Sequence, residues 1–148
     1  MQPHRCLTIC MPWPYAIFHL GKNLENRPWS TGYRGPLLIH VGKSTKYWKQ
    51  GIDDLWEMFY SGWIRPEPDE DEACNHAGMI IGMVDMVGVK PFSDCRENPW
   101  ACGPFCHEYE NPRLFREPIP YRGAQGFFFV PDEVVREAID EANRVIKR

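Results

Sequence analysis

The chain has 148 residues, 43% hydrophobic and 14% aromatic, with a formal net charge of −3, which sets it among single folded domains with a real core and excludes a disordered tail. Residues 1–50 carry seven Lys or Arg against the single acid Glu25, and the remainder carry ten against nineteen. The amino-terminal part can therefore attract phosphate, unless folding mixes both parts on one surface. No apolar run reaches membrane-spanning length and the first residues lead into no signal-peptide core, so a cytoplasmic protein that meets no membrane is expected.

Residues 7–11 read as a short strand, broken by Pro12-Trp13-Pro14, with Pro14 suited to the first turn of a helix. That helix runs over residues 15–20, and Gly21 stops it. Lys22 then emerges at a helix end, where a cation is favoured. An extended segment 23–27 puts Glu25 and Arg27 on one face, because strand side chains alternate. After a turn at Ser30, Thr31 and Gly32, a strand over residues 37–41 sends Leu37, Ile39 and Val41 one way, and Leu38 and His40 the other.

Residues 47–60 are expected to be helical, since Trp48, Ile52, Leu55, Trp56 and Phe59 recur at helical spacing. This aromatic stripe reads as core before ligand platform. The acidic, Pro-rich run from Arg65 to Glu72 reads as a solvated loop. Residues 79–89 form an apolar strand in which Asp85 is the only charge; it either faces a polar cleft or is satisfied at the sheet surface. Residues 91–107 read as loop, with Trp100, Gly103, Pro104 and Phe105 as a shaped turn. Pro112, Pro118 and Pro120 mark an edge or bend. Residues 126–130 are a further strand. Pro131, Asp132 and Glu133 open a helix whose apolar face is Val134, Val135, Ala138, Ile139, Ala142, Val145 and Ile146, with acids first and Lys147 and Arg148 last, as its dipole prefers. Short strands, many prolines and few helices point to an α+β fold, a small mixed β-barrel with flanking helices.

The chemistry concentrates between Lys22 and Lys43. Lys22, Glu25, Arg27, Trp29, Tyr33, Arg34, His40 and Lys43 put cations and one carboxylate beside aromatic rings, a combination suited to an anionic, planar ligand such as a nucleotide. Arg27 and Arg34 are candidates to grip phosphate, and Trp13, Trp29 and Tyr33 to stack a base. Beside Glu25, Lys22 reads as an electrostatic clamp rather than a nucleophile. The bland alternative is a fold-stabilising Glu25–Arg27 pair with core tryptophans. Six cysteines without a secretory signal argue against a disulfide framework. Cys95, Cys102, Cys106 and His107, with Cys74 and His76, raise a zinc question. No Cys-x-x-Cys pair is present, so free thiols are expected, with no metal and no cofactor.

The order Pro12-Trp13-Pro14, then Gly21, Lys22, Glu25 and Arg27, then Tyr33-Arg34-Gly35-Pro36-Leu37, then Ile39-His40, resembles the ASCH family, the activating-signal-cointegrator homology domains. So do Gly82-Met83-Val84-Asp85, Trp100, Gly103-Pro104-Phe105 and Gly126-Phe127-Phe128. The likeness runs from about Leu7 to Val130, with residues 45–75 as an elaboration of one 148-residue domain. The resemblance implies a PUA-like fold that binds RNA or another nucleic acid in a cleft lined by Lys22, Glu25, Arg27 and Tyr33-Arg34-Gly35. Some members of that family cleave RNA or deacylate an acetylated cytidine. The deacylating branch is matched at Lys22, but Glu25 stands where its Thr stands. Three functions are therefore expected in competition. They are a reader of RNA or a modified nucleotide, a hydrolase using Lys22 and Glu25 with His40 or Asp85, and a protein-interaction domain working through residues 47–60 and the acidic loop.

Overall fold

Alternation along one strand sets the two sides of the molecule. In a computed structural model that describes residues 2–146, without the side chains of Val145 and Ile146, β3 (Gly35–Val41) lies between β1 (His4–Ile9) and β4 (Met79–Pro91). Leu37 and Ile39 enter a core cluster with Leu7, Ile9, Val84 and Tyr109. Leu38 enters another, with Ile80, Met83 and Phe115. Full burial of each such side chain contributes about 1.5–3 kcal/mol.

The remaining strands are β2 (Leu24–Arg27), β5 (Phe105–Pro120) and β6 (Phe127–Val130). All six form one sheet in the order β2-β5-β4-β3-β1-β6. The β1–β3 pair is parallel and the others are antiparallel. The expected barrel is not closed by hydrogen bonds: β2 and β6 are edges that do not pair. β2 ends at Arg27 because Pro28 has no N–H to continue a ladder. Side chains span the gap instead. Trp29 meets Phe127 edge to face with ring centroids 5.0 Å apart, and Arg27 donates to the Thr8 carbonyl at 3.0 Å.

The prolines of β5 lie where it has a partner on one side only, since β2 pairs no further than Glu108. Met83 pairs Arg113 and Asp85 pairs Glu110, so Asn111 and Pro112 together face Val84. This is a bulge, and Asn111 takes φ 51° within it. A second irregularity, between the Ile80–Ile119 and Gly82–Leu114 pairs, absorbs Pro118.

The helices are α1 (Trp13–His19), α2 (Trp48–Tyr60), α3 (Glu70–Ala73) and α4 (Asp132–Ile146). On α4, Val135, Ile139 and Ala142 are buried against Leu38, Ile80 and Phe115. Lys147 and Arg148, expected at its basic end, lie outside the described residues. On α2, Ile52 and Leu55 are buried with Tyr15, Leu20 and Leu24, while Trp48, Trp56 and Phe59 are only partly so. The acidic run read as a loop contains α3, whose amino end is capped where the Asp69 carboxylate accepts the Glu72 N–H at 3.1 Å. Residues 91–107, read as loop, hold the last residue of β4, a 3₁₀ turn (Phe92–Asp94) and the start of β5.

Candidate functional site

The end of α1 delivers the first site residue. Gly21 takes φ 75°, a conformation cheap only for glycine, and the Lys22 N–H returns to the Ala16 carbonyl at 3.1 Å. Lys22 is thereby turned under the sheet, where it is 4% exposed. Its Nζ donates to the Leu24 carbonyl and, at 3.1 Å, to Glu25 Oε1, and lies 5.7 Å from the centre of the Trp13 ring.

β2 supplies the other two charges on one face, as its alternation predicts. Glu25 is 7% exposed and its second oxygen, Oε2, accepts from Arg27 Nε at 3.1 Å. A cation–carboxylate–cation chain results, buried at Lys22 and Glu25 and partly exposed at Arg27. Asn26 points the opposite way and staples the neighbouring wall. Its Nδ2 donates to the Trp100 carbonyl at 3.0 Å, and its Oδ1 accepts the N–H groups of Cys102 and Gly103 at 2.9 Å each.

This chain opens on a cleft of about 1070 Å³ between the sheet and α2. Of the residues expected to bind ligand, Trp13, Lys22, Glu25, Arg27, Trp29 and Lys43 line it. Trp29 is held from two sides, by Phe127 and by His107, whose ring lies edge-on with centroids 4.6 Å apart. His107 Nε2 donates to the Trp29 carbonyl at 2.8 Å. Burial pushes this imidazole below its ordinary pKa, with the charges of Arg27 and Arg34 acting the same way.

The other four expected residues lie elsewhere. The Tyr33 ring sits under the Arg5 guanidinium at 4.0 Å, and its hydroxyl donates to the Pro36 carbonyl. Arg34 is exposed and donates to the carbonyls of Thr31 and Tyr33 at 3.0 and 2.7 Å. His40 is 3% exposed, with Nδ1 accepting from the Thr8 hydroxyl at 3.0 Å and Nε2 donating to the Tyr121 carbonyl at 2.7 Å. Neither ring nitrogen is free for a substrate proton. Asp85 accepts from Arg113 at 3.1 Å and from Asn111 at 3.0 Å. Burial alone would raise its carboxyl, but these hydrogen bonds prevail and lower it.

The cleft is not the basic one that the chain's charge asymmetry suggests, because Asp54 and Glu57 of α2 line it along with Lys22, Arg27 and Lys43. Its wall also includes Cys10, Tyr47, Trp63, Trp100 and Cys102, of which Trp100 stood out in sequence as a turn anchor and Cys102 as a metal-ligand candidate. Burial raises both thiols, Cys10 and Cys102, so they face the cleft as weak donors and not as thiolate nucleophiles. Among the described residues no group of three or more His, Cys, Asp or Glu is arranged to hold a metal ion. Nor is any helix there long and apolar enough to cross a membrane. No protein-family model matches the chain, and no curated protein matches it.

Proposed function

We propose that this protein binds a nucleobase of RNA, or a modified nucleoside or nucleotide, in the cleft between the sheet and α2. The observation that carries this reading is the meeting of four indole rings, Trp13, Trp29, Trp63 and Trp100, with Lys43 and the Lys22–Glu25–Arg27 chain around one open cleft. An indole face accepts any base, for about 1–3 kcal/mol per stacked base, and Arg27 and Lys43 are at hand for a phosphate. The balance of acids and bases in the cleft favours one nucleotide unit over a long run of phosphates. The side-chain bridge between the edges of the sheet agrees with a PUA-like barrel, and so with the ASCH resemblance. Free thiols at all six cysteines agree with a reducing, cytoplasmic setting.

A hydrolase acting on RNA or a modified nucleoside is the second reading, and one observation favours it. The Lys22 ammonium lines the cleft while two of its three N–H groups are engaged, leaving the third for a carbonyl or phosphoryl oxygen. One experiment tests both readings. The protein is titrated with short single-stranded RNAs and modified nucleosides, N4-acetylcytidine among them, and each mixture is then analysed by mass spectrometry. Binding that weakens with salt, and roughly five- to hundredfold in Trp29→Ala, is expected. A product formed by the wild type and lost in Lys22→Met makes the protein a hydrolase. Absence of binding to every ligand at low salt overturns both readings.

A further inference from the structure

The α2 wall of the cleft carries charge opposite in sign to that of Lys22, Arg27 and Lys43. Tyr47, Asp54, Glu57 and Ser61 follow one another at seven, three and four residues, a single stripe along the helix, and all four line the cleft. The stripe that packs inward is a different one, with Ile52 and Leu55. Asp54 is half-buried, and its Oδ1 accepts from Gln50 Nε2 at 2.8 Å. The lysine of this helix, Lys49, turns away and pairs with Asp53 at 3.0 Å. Thus the two carboxylates that face the cleft take no cation from their own helix. Asp54 also reaches the opposite wall electrostatically: after burial and the charges of Lys22 and Glu25, its charge acts on the Cys102 thiol.

An ionised carboxylate only accepts hydrogen bonds. An amino group on the edge of a base satisfies it, whereas a carbonyl at the same place sets lone pairs against negative charge. Resting on the nucleotide reading above, we infer that Asp54 and Glu57 make the cleft selective for a nucleobase bearing an exocyclic amino group over its carbonyl counterpart. The anionic end of the same ligand then lies toward Arg27 on the sheet side, so that the two walls together set its orientation.

Two matched pairs change that edge, exchanging the amino group for a carbonyl and the neighbouring ring nitrogen from acceptor to N–H donor: adenosine against inosine 5′-monophosphate, and cytidine against uridine 5′-monophosphate. Each is titrated calorimetrically into the wild type, into Asp54→Asn/Glu57→Gln, and into Asp53→Asn as an outward-facing control. The wild type and Asp53→Asn are expected to prefer the amino member of each pair by about tenfold or more. The double variant is expected to lose that preference, because its side-chain amides donate as readily as they accept. Equal affinities in the wild type, or an undiminished preference in a folded double variant, overturn the inference while leaving nucleotide binding intact. No binding of any of the four by the wild type overturns the inference, and the nucleotide reading falls with it only if the short RNAs and modified nucleosides also fail to bind.

Discussion

Glu25 stands between two cations in a place that water barely reaches, and removing its charge tests whether this chain holds the cleft floor together. The side chains of Lys22 and Glu25 are 3% and 9% exposed at a separation of 3.1 Å, while that of Arg27 is 22% exposed. Breaking one partner out of a buried pair costs about 3–5 kcal/mol. In Glu25→Gln the half-hydrated Arg27 recovers water, so a loss of about 3 kcal/mol is expected. Lys22→Met leaves Glu25 with Arg27 and removes the two hydrogen bonds of the ammonium, to Glu25 and to the Leu24 carbonyl, for a loss of about 2 kcal/mol. The double variant has no stranded lysine, so it is expected to lose about 3 kcal/mol, some 2 kcal/mol less than the two single losses together. Urea unfolding followed by far-ultraviolet circular dichroism at neutral pH measures all four proteins. Repeating it in high salt changes the coupling little, because a buried pair is poorly screened. Losses that add within about 0.5 kcal/mol refute the reasoning, since uncoupled residues behave that way.

Gly51→Ala gains about 1 kcal/mol of helix propensity, but its new Cβ would stand 2.4 Å from Pro12 Cδ and 3.3 Å from the Trp13 ring. Overpacking of about 1–3 kcal/mol outweighs the gain, so urea unfolding is expected to record a net loss; a stabilised variant refutes the contact. Hydrogen bonds from Arg136 and His4 lower the Asp132 carboxyl from 3.8 to about 2. A carboxyl lowered by folding adds stability above its ordinary value that fades as the pH falls from 3.8 toward 2. Asp132→Asn is expected to flatten the stability–pH curve in that window, and an unchanged slope contradicts the assignment. Under native conditions a thiol-alkylating reagent is expected to modify exposed Cys74 first. Cys6 and Cys106 are buried, and Cys106 is pushed up to about 11 by burial, so they react only on unfolding. Early modification of either, read by peptide mass spectrometry, contradicts their burial.

Local periodicity carried much of the fold. Alternation sorted Leu37 and Ile39 from Leu38 and His40, and helical spacing found α2 and α4. The shared face of Glu25 and Arg27, and the emergence of Lys22 past Gly21, followed from the same short-range rules. What those rules missed was partner choice over long separations. Tyr33 was lost to the cleft because Arg5, at the other end of β1, claims its ring, and His40 because Tyr121 claims its Nε2. Asn26 carries no mark in the sequence between Glu25 and Arg27, yet it holds residues 100–103 in place. On α2 the sequence showed the aromatic stripe and not the carboxylates Asp54 and Glu57, and nothing local says which way they face once Ile52 and Leu55 have found their core.

Residues 42–77, which carry α2 and α3, leave the sheet at Val41 and return at Gly78, where the Gly78 N–H donates to the Val41 carbonyl at 2.7 Å. The excursion begins and ends at one point, like a handle fixed by a single bracket. Its length and content are thus free of the spacing between strands, and lengthening it would cost little loop entropy. Another helix in that handle must still cover Tyr15, Leu20 and Leu24, but it can present a different outward stripe. One side of the cleft is therefore an exchangeable cassette. Ligand preference can diverge there, while the Lys22–Glu25–Arg27 floor on the opposite side is left as it was.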